Sequence, residues 1–360
     1  MNAARMREMT AAVIRRHGGP EVLEVCRIER PEPRQGEVRI RVAACALGGL
    51  DLFVCHGMPG VKIEFPHICG GQVVGEVEAV GEDGADGAPS TDLIGRIVVV
   101  DPELPGNRML GETAMGGLAE YVVVPAANII PLPPDSDPVL LSTIPVGYAT
   151  AHRMLFTRAR LQAGETVAVL GAAGGVGVAS VQLAKLAGAR VIACSSSAAK
   201  LERLERLGAD DLIDTSREDF GRRIWQLTDK RGADVVVDYL GRETLSASVR
   251  ASGRFGRIVV CGATTGFEAP MDLRYLWARE STVIGSNGWE RSDIERLVEL
   301  VGRGSLQPVV HRVLPLSEVG EGFADLEQRR AFGTVVISAS APGDRLPVDA
   351  SVFQESADVP

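Results

Sequence analysis

Aromatic residues are scarce in this chain, 4% of 360 residues, and basic residues do not outnumber acidic ones: 38 Lys and Arg stand against 47 Asp and Glu, a formal charge of −9. That balance argues against a dedicated nucleic-acid binder, which needs a basic face to neutralise phosphates, although a local basic patch is compatible with it. No CxxC pair occurs among Cys26, Cys45, Cys55, Cys69, Cys194 and Cys261. Their irregular spacing speaks against a zinc ribbon and a disulfide framework, and a reducing cytoplasm fits it best. Long apolar runs are missing as well. Ile97 to Val100 is typical, and the longer stretch Thr166 to Val181 is broken by glycines, so a soluble protein with no membrane span is expected. Met1 to Thr10 lacks the apolar centre of a secretory signal and reads as a floppy leader. What is present suits a globular chain: 45% hydrophobic and 24% charged residues. The length allows two domains that bury roughly 75% of the unfolded surface without disulfide or metal.

From Met9 to Pro134 short β-rich runs alternate with Gly and Pro: Ala11 to Ile14, Glu37 to Ala43, Gln72 to Val80, Ile97 to Val100 and Ala119 to Val124. This is the pattern of an antiparallel, barrel-like domain, placed at 9–136. The acidic, glycine-rich stretch Gly81 to Ser90 reads as an exposed hairpin loop. Near Pro138 the rhythm changes. Val139 to Leu155 reads as a helix, and Thr166 to Leu170 is an apolar strand followed by glycines and a helix over Val176 to Ala187. Strands and helices then alternate as far as the strand Ser281 to Ser286. Such alternation requires right-handed crossovers and a parallel sheet covered on both faces. The expected architecture is therefore α/β, with a doubly wound domain at 137–286 behind a β-rich one. The elements of 287–340 are too few to fold alone and are expected to complete the first domain. The tail 341–360 has no periodicity and reads as disordered.

The strongest chemical signal is Gly171-Ala-Ala-Gly174-Gly175-Val176-Gly177, directly after a strand and directly before a helix. A dinucleotide's pyrophosphate needs backbone N–H groups at a helix N-terminus, and residues without side chains let the backbone come close enough. An NAD-binding unit places Asp or Glu about 20 residues further on to hold the ribose 2′-hydroxyl. Here the next strand ends Ser195-Ser196-Ser197, followed by Lys200. With no acid in that window, a 2′-phosphate is tolerated and attracted, which points to NADPH. The alternative makes the serines a helix N-cap and Lys200 a solvated charge.

These residues, with GGPEVLEV (Gly18 to Val25), LDLFVCHGMPG (Leu50 to Gly60), FPHICG (Phe65 to Gly70), LGAD (Leu207 to Asp210), VVVDYLG (Val235 to Gly241) and CGATTG (Cys261 to Gly266), resemble the medium-chain dehydrogenase/reductase superfamily in its zinc-independent, quinone oxidoreductase-like branch. The resemblance runs from about Met9 to Ser338. It implies a GroES-like catalytic domain, a Rossmann domain binding NADPH, and a nicotinamide end lined by Gly262, Ala263 and Thr264. It also implies a homodimer through the strand 281–286. Zinc-dependent members hold their catalytic ion at positions that correspond here to Gly48, Gly71 and Val146, none of which can bind a metal. The lobe that holds structural zinc in other members corresponds to Asp101 to Ala114, which has no Cys. A rival metal reading is the group Cys55, His56, His67 and Cys69, whose spacing matches no standard zinc pattern. A departure from close zinc-free relatives is Gly48-Gly49, where those carry Asn-His.

Without zinc no Lewis acid stabilises an alkoxide. The expected activity is hydride transfer from NADPH to a quinone or an α,β-unsaturated carbonyl. The alternatives are a biosynthetic enoyl-thioester or pathway-specific reductase and, in another class, an NADPH-binding sensor or structural protein with little turnover. Tyr148 is the first choice to assist proton delivery, with Asn287 as the second catalytic residue. Gly48, Asp51, Gln72, Thr150 and Trp289 are expected at the substrate pocket, Trp289 either as its roof or as filler of a domain interface. The partner is a small molecule, in the cytoplasm, with no nucleic acid and no membrane.

Overall fold

The computed structural model describes residues 7–81 and 91–339. Most of the expected leader, the loop after Gly81 and the tail 341–360 lie outside the described residues. The chain divides into two compact units, Met1–Val146 with Ile294–Pro360, and Gly147–Asp293.

The first unit opens with β1 (Glu8–Ile14) and β2 (Leu23–Glu29), an antiparallel pair. After them come β3 (Glu37–Leu47), α1 (Gly49–His56), β4 (Gln72–Val80), β5 (Ile97–Val100), the short pair β6 (Glu103–Leu104) and β7 (Arg108–Met109), β8 (Tyr121–Pro125), β9 (Ile129–Pro131) and α2 (Pro138–Ser142). β3 is the central strand: Val38, Ile40, Val42, Cys45 and Leu47 all sink into one apolar core with Val73, Val77, Val98, Val100 and Val122. The sequence reading stops this unit at 136, but Val139 of α2 packs among Ala44, Ala46, Val310 and Val336, so the unit continues to Val146. The single helix expected over Val139 to Leu155 is broken. π-helical turns at Ile144–Tyr148 and Arg153–Arg158 flank α3 (Ala149–His152). Pro145 has no N–H to give to a regular helical ladder.

The second unit continues with β10 (Thr166–Val169), α4 (Gly175–Leu186), β11 (Arg190–Ser195), α5 (Ala198–Arg206), β12 (Asp211–Asp214), α6 (Phe220–Leu227), β13 (Ala233–Val237), α7 (Leu245–Ala251), β14 (Ser252–Val260), α8 (Leu273–Arg279) and β15 (Thr282–Gly285). Its six-stranded parallel sheet has the order β12-β11-β10-β13-β14-β15. Val167, Ala168, Val169, Val191, Ile192, Val235, Val236 and Val237 are all fully buried. A strand covered by helices on both faces must be apolar on both, and that is why these runs do not alternate. The order reverses between β10 and β13, and the carboxyl end of the strands at such a switch point is the usual ligand position of these sheets.

The chain then leaves through α9 (Arg291–Gly302), β16 (Val310–Pro315), α10 (Val319–Glu327) and β17 (Thr334–Ser338). β17 pairs antiparallel with β3, and β16 parallel with β17, so the first unit's sheet runs β16-β17-β3-β4-β5-β9 with β8 also on β3.

Candidate functional site

In the second unit Gly171 follows β10 directly, Gly174 is the N-cap of α4, and Gly175, Val176 and Gly177 form its first turn. The amides of that turn have no acceptor within their own helix, and they carry the positive end of its dipole. The glycines are needed for reasons internal to the protein. Gly171 has φ +60°, and a Cβ on it would fall 3.0 Å from the Tyr239 hydroxyl. A Cβ on Gly174 would fall 3.1 Å from the same oxygen, and one on Gly177 would fall 2.5 Å from the Gly171 carbonyl oxygen and 2.6 Å from the Ala172 backbone. Gly177 therefore lets α4 lie directly on the turn. Tyr239, part of the VVVDYLG motif but not singled out there as a site residue, donates its hydroxyl to the Gly171 carbonyl.

Ser195, the last residue of β11, is 8% exposed, and its hydroxyl accepts from the Ser197 amide at 3.4 Å. Ser197 stands at the N-cap of α5 without a side-chain cap bond, and Ser196 is exposed. Lys200 and Arg203 lie half-buried on α5. Burial, and then the neighbouring Arg203, hold the Lys200 ammonium below its ordinary pKa. The ladder between β11 and β12 sets Asp214 beside Ser195, an acid that no window along the sequence would find. Its carboxylate takes the hydroxyl and amide of Ser216 at 2.6 and 2.9 Å and faces Arg217 at 3.3 Å. At the ends of β13 and β14 two loops are joined: Thr264 gives its amide and hydroxyl to the Tyr239 carbonyl at 3.2 and 3.1 Å, and Thr265 does the same to Leu240, both at 2.8 Å. Gly262 and Ala263 are half-buried in that turn.

The residues expected to deliver a proton are placed less favourably. Tyr148 is completely buried, and its hydroxyl donates to Gln182 of α4 at 2.7 Å. The geometry does not offer that phenol to a ligand. Asn287 lies exposed on the loop after β15, Trp289 is 6% exposed, and Thr150 is half-buried on α3.

In the first unit Asp51 is 5% exposed, and its two carboxylate oxygens accept from the amides of Gly48 and Gly70, each at 2.8 Å. It closes the N-terminus of α1 and ties it to the strap before β4. Burial raises its pKa to about 6 against the pull of those amides. Gln72, 3% exposed, spans from the Ala46 carbonyl, to which its Nε2 donates at 3.2 Å, to the Val146 amide, which donates to its Oε1 at 3.2 Å. Both residues expected at a pocket thus hold backbone groups instead. The same places test the metal. Gly48, 3.5 Å from Gln72 Nε2 at its Cβ position, Gly71 and Val146 supply no donor, and a Cβ on Gly71 would meet the Leu110 carbonyl oxygen at 2.7 Å. Zinc does not fit this set. Nor do Cys55, His56, His67 and Cys69 form a centre. His56 pairs with Glu327 at 3.1 Å, His67 contacts the Gly111 carbonyl at 3.3 Å, Cys55 the Gly19 carbonyl at 3.6 Å, and no metal-holding group of three or more His, Cys, Asp or Glu occurs among the described residues. Likewise no helix among them is long and apolar enough to cross a membrane.

Residues 34–134 match the model of the alcohol dehydrogenase GroES-like domain and residues 175–303 that of the zinc-binding dehydrogenase. The crotonyl-CoA reductase of Streptomyces collinus is 31% identical over 310 residues, 81% of this chain, which spans 66% of that protein. The acryloyl-coenzyme A reductase of Metallosphaera sedula is 29% identical over 92% of this chain and all of its own length, and the quinone oxidoreductase of Rattus norvegicus 27% over 88% and 94%. Among solved structures, an NAD-dependent alcohol dehydrogenase superposes with a TM-score of 0.84 at 37% identity, covering 92% of this chain and all of that one. A crotonyl-CoA carboxylase/reductase in complex with NADP superposes with a TM-score of 0.80 at 25% identity, over 92% and 95%. With its GroES-like unit, its doubly wound sheet and its glycine turn at the switch point, this chain belongs to the medium-chain dehydrogenase/reductase superfamily.

Proposed function

We propose that this oxidoreductase is an NADPH-dependent reductase that works without zinc and passes hydride to an acceptor able to carry the resulting charge by its own conjugation, a quinone or an α,β-unsaturated carbonyl. The observation that carries this reading is the donor set at Gly48, Gly71 and Val146, with the Cβ position of residue 71 taken by the Leu110 carbonyl and with Gln72 bonded to both Ala46 and Val146. Reduction of an isolated ketone develops an alkoxide that requires a Lewis acid or strong donors. A conjugated acceptor spreads the charge itself.

When bound, the nicotinamide supplies the hydride. The turn 171–177 takes the pyrophosphate on its backbone amides, Ser195 leaves room for a 2′-phosphate, Lys200 supplies an opposing charge, and the turn from Gly262 to Thr264 borders the nicotinamide. Water is the proton source, with the exposed amide of Asn287 at hand, since the Tyr148 hydroxyl is spent on Gln182. The resemblance to crotonyl-CoA and acryloyl-coenzyme A reductases favours an enoyl thioester as the second reading of the acceptor. The NAD-dependent relative argues for the other nicotinamide. Ser195, standing where an acid would repel the phosphate, supports NADPH.

NADPH absorbance is followed against a panel of quinones, enones and enoyl thioesters, alongside binding titrations. Oxidation by at least one class is expected, and binding without oxidation would instead support a sensor. One charge-assisted contact contributes on the order of 1.5–3 kcal/mol, so Lys200→Ala should weaken NADPH about tenfold or more and leave NADH nearly unchanged. Equal affinity of the native protein for both cofactors would reject the assignment.

A further inference from the structure

The proposed dinucleotide turn has a third partner besides its glycines and its helix. α4 begins on Gly174, an N-cap residue with no side chain to accept from the first-turn amides. Such helix starts ordinarily gain their stability from Ser, Thr, Asp or Asn in that place. Here the turn is fixed instead by a donor from the loop after β13. The Tyr239 hydroxyl donates to the Gly171 carbonyl. It lies so close that a Cβ on Gly171 or Gly174 would stand 3.0 or 3.1 Å from it. Burial, and then Cys261 and Asp238 nearby, push the phenol's pKa far above its ordinary value, so the hydroxyl keeps the proton that it gives to Gly171.

The loop that carries Tyr239 is itself held rigidly. Asp238, with no exposed surface, accepts from the Leu240 and Gly241 amides at 3.0 and 3.2 Å and from the hydroxyls of Thr244 and Ser248, both at 2.7 Å. The Tyr239 carbonyl accepts from Thr264. One residue therefore links the turn after β10, the loop after β13 and the turn after β14.

We infer that Tyr239 is a positioning residue of the dinucleotide site: its hydroxyl pins the Gly171 carbonyl, occupies the space beside Gly171 and Gly174, and so holds the turn with the first-turn amides of α4 set for the pyrophosphate. The inference rests on the dinucleotide reading of that turn. It assigns Gly171 and Gly174 a second reason for lacking side chains, room for a phenol hydroxyl.

The test compares the full chain with Tyr239→Phe, Gly174→Ala and the double variant. Affinities for NADPH, NADH and adenosine 2′-monophosphate, which lacks the pyrophosphate, are read by calorimetry. Tyr239→Phe should weaken NADPH and NADH by the same factor, about threefold to tenfold for one hydrogen bond, and leave adenosine 2′-monophosphate unchanged. A general loosening of the fold would move all three. Gly174→Ala should weaken both dinucleotides in the native background and cost little more in the Tyr239→Phe background, because the oxygen it crowds is gone. Unchanged dinucleotide affinity in Tyr239→Phe, or strictly additive effects in the double variant, would overturn the inference. A native protein that binds neither dinucleotide would overturn the proposed function. In that case coupling between the two substitutions in thermal midpoints still decides whether Tyr239 holds the turn.

Discussion

At the scale of single residues the most informative group is a buried carboxylate that holds two backbone amides. Asp51 is buried, receives two backbone amides, and has its pKa raised to about 6 from 3.8. The folded chain therefore binds this proton more tightly than the unfolded chain does. Its contribution to stability is greatest below about pH 4 and is lost as pH rises towards about 6, a change on the order of 3 kcal/mol. Urea midpoints measured from pH 4 to 7 should show this decline. Asp51→Asn should remove that part of the slope while costing about 1–3 kcal/mol, since its NH2 group faces one of the two amide donors. A variant whose profile parallels the native one would show that Asp51 does not titrate in this window. Tyr148 teaches the complementary lesson: its place in the VGYAT segment suggested a proton donor, but a phenol with no exposed surface, bonded to Gln182, serves packing.

At the scale of elements the glycine turn was read from the sequence, but its steric logic was not. From the sequence the glycines are assigned to the close approach of a pyrophosphate. The structure attributes Gly177 to the contact of α4 with Gly171 and Ala172, and Gly171 and Gly174 to the Tyr239 hydroxyl as well. Gly177→Ala should thus lower stability even without cofactor, by about 2 kcal/mol as overpacking of a site whose neighbours are backbone. Gly320→Ala in α10, where a Cβ meets nothing within 4 Å, should be neutral or stabilising by up to about 1 kcal/mol. Urea unfolding of both variants checks the contrast, and equal effects would contradict it. Two helices escaped the sequence reading, α1 and α8. Each is short, at 8 and 7 residues, barely two turns, too few for the helical period to declare itself.

For the whole molecule the open question is what meets β15. It ends the sheet of the second unit, with Thr282 and Gly285 exposed. α8, which leads into it, exposes Leu273 and Trp277 at 56% and 66%. These lie four residues apart on one helix face. An edge strand beside apolar surface invites pairing, and a twofold copy of the same edge satisfies it in a closed way. We therefore propose a homodimer through the strand 281–286. Light scattering during size exclusion should give twice the 38.2 kDa of the chain. A single-chain mass at micromolar concentration would refute this arrangement.

The sequence by itself determined the α/β class, the β-rich unit followed by the doubly wound one, the return of the last strands, and the position of the glycine turn. Each of these rests on period, turn residues or motif, which are properties of neighbours along the chain. Only the tertiary structure decided that Tyr239 meets Gly171 across 68 positions, that Gln72 meets Val146 across 74, and that Asp214 lies beside Ser195. The physical reason is the sheet. Strand pairing brings together carboxyl-end loops whose separation in sequence depends on the lengths of the intervening helices, and no window along the chain carries that information.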